Sequence, residues 1–275
     1  MSRPPSSEPV DAVVAVLAAS RKYRHLAPAV LERVARESLA IEHNIARAAD
    51  RARRKLHQIH SSFVTDGEFA RAERLFDALG PSPTDAEIQA ACREILRCHA
   101  STRERLGALE SLHHDLFAMS GTNAPESLLD LGAGLHPFAL PWMGLARDAH
   151  YVAWDLDGRA LALVGRFFRL VGQKGEMRCA DLLGDLPLPR ADVALLFKLL
   201  PTLERQQAGA AARLLDRIDA RVVVLSFPTA SLGRRARGLV AGHRRLLDDL
   251  LPTRGFAVHE RRGPRETFHV LTRQT

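Results

Sequence analysis

Short apolar runs alternate with amphipathic stretches through the second half of the chain. The apolar runs are residues 127–131, 151–155, 193–197 and 222–227. Helical patterns at residues 158–171 and 206–218 lie between them. Apolar runs without polar alternation are typical of strands buried on both faces, and a strand, helix, strand series favours parallel strands. The sequence therefore predicts a doubly wound, Rossmann-like α/β sheet.

The first 120 residues show no strand pattern and are predicted to be helical. Apolar side chains recur at helical spacing, for example at Leu26 and Val30. Thr65 precedes one apolar stretch as an N-cap, and the segment at residues 80–85, Gly-Pro-Ser-Pro-Thr-Asp, ends one helix and caps the next. Residues 101–102, Ser-Thr, are predicted to cap the last of these helices, since a Glu follows at the matching position.

The composition changes at residues 120–125, Ser-Gly-Thr-Asn-Ala-Pro, where the helical patterns stop. We therefore predict two domains, an all-helical basic domain of residues 1–120 and a sheet domain of residues 121–275. Apolar residues make up 46% of the chain and charged residues 26%. These are ordinary globular values, so a mainly disordered protein is excluded.

The net charge of +7 is concentrated in two segments. Ten Lys and Arg residues stand against four Asp and Glu residues in segment 20–60, and the same counts apply to segment 231–275, whereas segment 121–230 is neutral. Such clusters are typical of proteins that bind polyanions, and also of solvated Arg-rich helices; charge alone does not separate the two. The candidate phosphate contacts are Arg51, Arg53, Arg54, Lys55, Arg234, Arg235 and Arg237.

The three cysteines, Cys92, Cys98 and Cys179, have no Cys-x-x-Cys spacing. An odd number without that spacing argues against a disulfide framework and against a structural zinc site. The apolar run at residues 10–19 is interrupted by Asp11 and has no basic segment before it, so neither a signal peptide nor a membrane span is expected. The expectation is a metal-free cytoplasmic protein in a reducing compartment.

A glycine-rich turn follows the first predicted strand, in the segment Asp130-Leu131-Gly132-Ala133-Gly134. Glycines at the carboxyl end of a strand let the backbone approach a ligand. Pro137 stands where a dinucleotide-binding turn has its third small residue, so the pyrophosphate-binding pattern G-x-G-x-x-G is not met. The alternative is that Gly132 and Gly134 are ordinary turn glycines.

Acidic residues follow the next two strands of the predicted sheet, Asp155 after the second and Asp181 after the third. A carboxylate at Asp155 is suited to accept from both hydroxyls of a ribose, and one at Asp181 from an adenine amino group. Together with Asp130 they fit a ligand that has a ribose and an adenine but no pyrophosphate, which describes S-adenosylmethionine. The alternative for Asp155 is an N-cap of the helix at residues 158–171.

Several motifs together resemble those of one known family. They are Lys22-Tyr23, Leu56-His57-Gln58-Ile59, the segment 99–106 (HASTRERL), Pro141-Trp142-Met143-Gly144-Leu145, Asp155-Leu156-Asp157, Ala180-Asp181-Leu182-Leu183, the segment 197–204 (FKLLPTLE), and Ser226-Phe227-Pro228-Thr229 with Ser231-Leu232-Gly233. The glycine turn recurs across methyltransferases in general, whereas the last two motifs do not. Over most of its length the chain resembles the 16S ribosomal RNA guanine-N7 methyltransferases that confer aminoglycoside resistance.

The resemblance implies S-adenosylmethionine as the cofactor. Arg105 is expected to pair with the methionine carboxylate, Asp155 to hold the ribose and Asp181 the adenine. The full predicted set of cofactor-binding residues is Arg105, Asp130, Gly132, Gly134, Asp155, Asp181 and Leu182.

The resemblance also implies the substrate, guanine 1405 of 16S ribosomal RNA in the small (30S) ribosomal subunit. Lys198 and Glu204 are expected to be catalytic residues near the target base, with residues 226–229 in the same wall. The helical domain is expected to dock on the ribosome, consistent with its basic segment. The chain is expected to act as a monomer, without a metal or a membrane.

The chain departs from the family pattern at three positions. The family usually has Cys at the position of Ala133, Asn at that of His136 and an aromatic residue near His243. None of these is a group that methyl transfer needs. His136 is predicted to reshape the wall beside the methyl donor.

The N7 atom of guanine carries a free lone pair, so methylation there needs no general base. Because the product ring is cationic, we expect Lys198 to donate to O6 or to a phosphate rather than to face N7. The narrow major groove of RNA hides N7, which predicts local distortion or flipping of the base. Two alternatives remain: a methyltransferase of another ribosomal nucleotide or of a small molecule, and a non-catalytic RNA-binding module.

Overall fold

The computed structural model describes residues 7–61, 63–122, 124–229, 234–252 and 254–273, and only the backbone at residues 234–240. The N-terminal helices are α1 (Ser7–Ala18), α2 (Pro28–Leu39), α3 (Ile45–Leu56), α4 (Asp66–Asp77), α5 (Asp85–Arg97), α6 (Ala100–Arg103) and α7 (Leu109–Met119). A π-helical turn (His57–Ser61) continues α3, and a 3-10 turn (Leu106–Ala108) precedes α7. The prediction of a helical N-terminal region is confirmed.

Local capping explains where several of these helices begin. The hydroxyls of Thr65 and Thr84 each accept from the backbone amide of the Glu three residues later. The carboxylate of that Glu accepts in turn from the backbone amide of the Thr, which completes the capping boxes of α4 and α5. The cap predicted at residues 101–102 is wrong. The Thr102 hydroxyl donates to the carbonyl of Leu96 at 2.6 Å, and α7 begins only at Leu109.

The second half of the chain forms one seven-stranded sheet. Its strands are β1 (Ser127–Leu131), β2 (His150–Asp155), β3 (Gly175–Cys179), β4 (Ala191–Phe197), β5 (Ala220–Pro228), β6 (Phe256–Arg262) and β7 (Glu266–Arg273). Its helices are α8 (Gly158–Val171), α9 (Leu200–Gln206), α10 (Ala210–Arg217) and α11 (Arg234–Leu250). The strand order is β3-β2-β1-β4-β5-β7-β6.

The first five strands are parallel, as predicted, whereas β7 pairs antiparallel with both β5 and β6. The strand order reverses between β1 and β4, because β2 and β3 extend the sheet on one side and β5 extends it on the other. In an open parallel sheet this reversal leaves a crevice at the carboxyl ends of the two strands. The fold therefore places a ligand site after β1 and β4.

The hydrophobic core is divided into three clusters. The first belongs to α1–α3 and includes Val13, Val34 and Leu56. The second joins α4–α7 to one face of the sheet, and the third packs α9–α11 on the other face. The helices α1–α3, residues 7–56, thus have a core of their own, and we call them the N-terminal module. By the packing of the core, α4–α7 belong with the sheet. The boundary predicted at residue 120 is instead based on the change from helical to alternating patterns in the sequence.

In the part of the chain that the structure describes, no helix is both long enough and apolar enough to cross a membrane.

Candidate cofactor site and active site

A cleft lies at the carboxyl ends of β1, β2 and β4, where the strand order reverses. The sheet side of the cleft is lined by Gly132, Gly134, Asp155, Asp157, Asp181, Leu182, Phe197 and Lys198. The helical side is lined by Arg33, Ile59, His60, Phe63, His99 and Ser101. The structure thus brings six of the predicted site residues together in one cleft, at the junction of the sheet and the N-terminal helices.

The glycine turn after β1 brings the main chain close to the cleft. Gly132 has a φ of 70° and Gly134 a φ of 51°, in the left-handed region that favours glycine. A Cβ at Gly132 would lie 3.0 Å from the side chain of Leu199, and a Cβ at Gly134 would lie 3.2 Å from Nε2 of His99. Any larger residue would therefore strain the turn and crowd the cleft.

Asp155 ends β2, and backbone amides hold its carboxylate. The amide of Gly134 donates to Oδ2 and the amide of Asp157 donates to Oδ1, both at 2.8 Å. Burial raises the pKa of Asp155 to about 6. The carboxylate is thus fixed in direction, and its oxygens retain lone pairs for further donors. The alternative that Asp155 caps α8 is wrong, because the capping side chain is Asp157, which accepts from the amide of Arg159.

Asp181 lies after β3 and pairs with Arg33 of the N-terminal module. Arg33 Nε donates to Oδ2 at 2.5 Å, and the amide of Leu183 donates to Oδ1 at 3.1 Å. Arg33 also donates to the side chain of Gln206 at 3.2 Å. The N-terminal module therefore contributes a side chain to the cleft wall. Sequence reasoning missed Arg33, because no local pattern distinguishes it from Arg36 on the same helix.

Asp130 is 1% exposed and belongs to a buried polar network outside the cleft. Its Oδ2 accepts from the hydroxyl of Tyr151 at 2.7 Å and lies 2.8 Å from Nδ1 of His136. His136 Nε2 in turn lies 3.0 Å from Nε2 of His113. The described lining of the cleft includes none of the four. These buried groups hydrogen-bond one another. A cofactor contact of Asp130 and a role of His136 in the wall beside the methyl donor stay predictions.

Arg105 is buried and forms a bidentate ion pair with Glu266 at the start of β7. Its Nε and Nη2 donate to the two carboxylate oxygens, both at 2.9 Å, and Nη2 also donates to Ser101 Oγ at 3.0 Å. The guanidinium lies 4.4 Å from the ring centre of Phe197. A buried guanidinium needs a counter-charge, and Glu266 provides it. The pairing of Arg105 with a methionine carboxylate stays a prediction. Sequence reasoning missed Glu266, which is separated from Arg105 by 161 positions.

Lys198 follows β4 and lines the cleft in a strained conformation. Its φ of 56° is the only positive value at a non-glycine residue in the described part of the chain. The amide of Lys198 donates to the Ser226 hydroxyl at 2.9 Å, which holds the turn. Its Nζ donates to the carboxylate of Glu104. Strained residues of this kind concentrate at functional sites, and here the strain directs an ammonium group along the cleft wall.

Glu204 does not face the cleft. Its Oε1 accepts from the amide of Gly209 at 2.6 Å, and its Oε2 accepts from the amide of Ala211 at 3.1 Å. These are free amides at the start of α10, where a carboxylate also interacts favourably with the helix dipole. The structure therefore gives Glu204 a structural role at the start of α10, and its catalytic role stays a prediction.

The predicted RNA-binding residues of the N-terminal segment lie on α3. The apolar face of this helix, which includes Ala48 and Ala52, packs inside the N-terminal module. Arg53 pairs with Asp50 at 2.8 Å, and Lys55 donates to Glu37. Arg51 and Arg54 make no ion pair with any described residue. The second predicted cluster, Arg234, Arg235 and Arg237, begins α11, but these side chains and residues 231–233 lie outside the described part of the structure.

The chain is similar to one protein family and to named relatives over nearly its whole length. A family model described as ribosomal RNA methyltransferase (FmrO) matches residues 19–268. A 16S rRNA (guanine(1405)-N(7))-methyltransferase of Micromonospora echinospora is 32% identical over 265 residues, which cover 95% of this chain and 96% of the relative. A protein of the same name from Frankia casuarinae is 34% identical over 269 residues, covering 96% and 94%.

Among solved structures, the 16S rRNA methyltransferase RmtF in complex with S-adenosyl-L-homocysteine is similar over 98% of this chain and 100% of its own, with a TM-score of 0.85 and 30% identity. The 16S rRNA methylase RmtB is similar over 96% of this chain and 98% of its own, with a TM-score of 0.80 and 26% identity. The similarity therefore covers the N-terminal helices as well as the sheet.

Proposed function

The chain belongs to the FmrO family of ribosomal RNA methyltransferases, and on that premise we propose that it methylates N7 of guanine 1405 in 16S ribosomal RNA. The methyl donor is S-adenosylmethionine, and the modification confers aminoglycoside resistance. The observation that carries this proposal is the match to relatives of that one activity along nearly the whole chain. A cleft with two fixed carboxylates at the strand-order reversal supports it.

The cleft residues fit S-adenosylmethionine. Asp155 has lone pairs for two ribose hydroxyls, Asp181 has them for the adenine amino group, and Gly134 leaves room for close approach of the main chain. Arg33 holds the Asp181 carboxylate in place from the N-terminal module. Arg105 has one nitrogen, Nη1, that makes no hydrogen bond to a described residue. We propose that the methionine end of the cofactor lies beside Ser101, which lines the cleft and accepts a hydrogen bond from Arg105.

The bound cofactor supplies an electrophilic methyl group, and guanine N7 supplies the lone pair that accepts it. The protein therefore has to position the two reactants and exclude water rather than remove a proton. The described cleft agrees with this requirement, because its wall combines apolar side chains such as Phe63 and Phe197 with charged groups that ion pairs or backbone amides hold in place.

Lys198 is the residue that we place nearest to the target base. The adjacent Glu104 carboxylate offsets much of its positive charge, so the ammonium does not oppose the cation that forms on the guanine ring. A donor on guanine O6 or on the neighbouring phosphate would orient the base. The strained turn at Lys198, held by Ser226, sets the direction of this donor.

The proposed partner is the 30S ribosomal subunit in the cytoplasm, and the chain is proposed to act on it as a monomer. The two-domain organisation, residues 1–120 and 121–275, remains part of this proposal, with the basic residues of α3 and α11 as phosphate contacts. RNA distortion at the target requires a broad docking surface, and the two basic segments are the proposed parts of that surface.

The direct test is methylation of purified 30S subunits with labelled S-adenosylmethionine, followed by mapping of the modified nucleotide. One methyl group on N7 of guanine 1405 is expected, and the Asp155→Asn variant should transfer none. Label on an adenine, or no label with the native chain, would contradict the proposal. Free ribosomal RNA and small-molecule acceptors are the controls for the alternative substrates.

A further inference from the structure

Three potential metal ligands meet where the N-terminal module joins the loop after β2. His25 lies between α1 and α2, His60 lies in the π-helical turn, and Asp157 caps α8. The His60 Nε2 atom is 2.7 Å from Asp157 Oδ2, and His25 Nε2 is 3.7 Å from the same oxygen. One ligand atom from each residue lies within 4.8 Å of the others. The side chains are 7%, 8% and 3% exposed.

The two imidazole rings have too few hydrogen bonds for their burial. Neither ring nitrogen of His25 has a partner among the described residues, and Nδ1 of His60 has none either. A buried polar atom without a partner costs about 1–3 kcal/mol, so such atoms in a folded protein require an explanation. Nε2 of each ring lies within 3.7 Å of the same carboxylate oxygen, so one bound cation would give Nε2 of His25 a partner.

We propose that His25, His60 and Asp157 bind one divalent transition-metal ion, of which Zn²⁺ fits the donor set best. Two neutral imidazoles with one carboxylate are typical zinc donors, and a water molecule supplies the fourth ligand. The Oδ1 atom of Asp157 accepts from the amide of Arg159 at 2.8 Å, which leaves Oδ2 directed at the two rings. This site departs from the metal-free expectation, which took no account of His25, His60 and Asp157.

The distance between His60 Nε2 and Asp157 Oδ2, 2.7 Å, is shorter than the distance between two ligand atoms of a bound ion. Donor atoms around a tetrahedral Zn²⁺ with bonds of about 2.0–2.2 Å lie roughly 3.3–3.5 Å apart. His60 and Asp157 therefore move apart by about 0.6 Å, and His60 binds through Nε2 as the neutral tautomer that carries its proton on Nδ1. His25 makes no side-chain hydrogen bond, so its ring is free to rotate toward the ion.

The position of the site gives the ion a structural effect. The amide of Ala27 donates to the carbonyl of Leu156 at 2.8 Å, and the amide of Gly158 donates to the carbonyl of His25 at 2.9 Å. These backbone bonds already connect the N-terminal module to the segment that follows Asp155. A bound ion would add a third connection at the same junction, so Zn²⁺ is expected to raise the melting temperature of the full chain.

The test is calorimetric titration of Zn²⁺ into the untagged, chelator-treated full chain, with Co²⁺ absorption as the spectroscopic readout of tetrahedral coordination. We expect one ion per native chain and affinity at least about tenfold weaker in His25→Ala and in His60→Ala. His25→Ala is the sharper variant, because it removes a ring that makes no hydrogen bond. His114→Ala is the matched control, since that ring is 84% exposed and distant in sequence.

A second variant separates metal binding from a structural role of the same residues. Arg159 Nη2 lies 3.4 Å from Asp157 Oδ2, so Arg159→Gln removes a positive charge beside the ion and should strengthen Zn²⁺ binding several-fold. No binding by the native chain at roughly 100 µM Zn²⁺, or unchanged affinity in His25→Ala, would overturn the proposal. Neither measurement depends on methyl transfer, so the outcome is independent of the proposed reaction.

Discussion

The cofactor cleft and the basic face of α3 use charge in different ways. In the cleft, Asp155 and Asp181 are held by backbone amides and by Arg33, with little freedom to turn. On α3, Arg51 and Arg54 have no ionic partner among the described residues, and Arg53 keeps 44% of its side-chain surface exposed. On the proposed function, the cleft binds the cofactor through acceptors of fixed direction, whereas α3 binds phosphates through the density of its positive charge.

This difference sets the expected size of mutational effects. A fixed acceptor in a low-dielectric cleft is hard to replace, because no neighbouring group takes over its hydrogen bonds. An exposed arginine is one of several that neutralise phosphates, and each contributes a small, salt-dependent share. Single substitutions should therefore have large effects in the cleft and small effects on α3.

The largest effect is expected for Asp155→Asn. The variant loses the negative charge that accepts from two ribose hydroxyls, at about 2 kcal/mol each, so affinity for S-adenosylhomocysteine should fall on the order of 1,000-fold. Calorimetric titration of the variant with S-adenosylhomocysteine measures this affinity. Asp192→Asn is the control, because Asp192 also accepts from two backbone amides but lies at the other end of the sheet. Equal losses in both variants would mean that folding, not the cleft, is affected.

Lys198→Ala is expected to lower the methylation rate on the order of 100-fold at saturating 30S subunits, because one oriented donor to the base is lost. Cofactor affinity should change little, which distinguishes this residue from Asp155. Single-turnover methylation and calorimetry measure the two quantities, with the exposed Lys174→Ala as control. A full rate in Lys198→Ala would exclude the assigned role.

The pH dependence of cofactor binding should show the raised pKa of Asp155, about 6. Only the ionised carboxylate accepts from both ribose hydroxyls, so affinity should be constant above pH 7 and fall about tenfold per unit below pH 6. The free energy of unfolding should change in the opposite sense. The folded pKa exceeds the unfolded value, so this group stabilises the fold as the pH falls from about 6 to 4. A pH-independent affinity would contradict this.

Arg33→Gln is expected to weaken cofactor binding about fivefold, because Asp181 loses the ion pair that orients it. The matched control is Arg36→Gln on the same helix, whose side chain is 54% exposed. Cofactor affinity that is unchanged or improved in Arg33→Gln would show that the N-terminal module does not support the Asp181 carboxylate in binding adenine.

The smallest effect is expected for Arg54→Ala, about two- to threefold weaker binding to 30S subunits at moderate salt. The slope of the logarithm of affinity against the logarithm of salt concentration should decrease in magnitude by about one for each phosphate contact removed. Arg74→Ala, on exposed α4 surface outside the basic segments, should leave both unchanged. An effect of Arg54→Ala on cofactor affinity would break the separation between the two regions.

Local sequence patterns predicted much of the fold. The bounds of β1 and α8 agree with the apolar run at residues 127–131 and the helical pattern at 158–171, because a buried strand and an amphipathic helix each produce their own periodicity. The antiparallel placement of β6 and β7 was not predicted, since pairing between strands is decided by distant parts of the chain. The prediction of a cap at residues 101–102 was wrong, because the Thr102 hydroxyl donates to the carbonyls of Leu96 and His99 instead.

The candidate site was predicted in part. Gly132, Gly134, Asp155, Asp181 and Lys198 line the cleft, because strand ends and glycine turns have a fixed relation to a parallel sheet. The residue type alone did not show whether an acidic side chain faces the cleft or another polar group of the protein. Asp130 and Glu204 are the two examples, since one hydrogen-bonds Tyr151 and the other caps α10.

The sequence by itself determined the element pattern, the glycine turn, the charge distribution and the family of this chain. Only the tertiary structure decided which polar groups meet: Arg33 with Asp181 across 148 positions, and Arg105 with Glu266 across 161. It also placed His25 and His60 around Asp157. The physical reason is that periodicity reflects burial of each segment, whereas a hydrogen bond or an ion pair forms only when packing brings its two partners into contact.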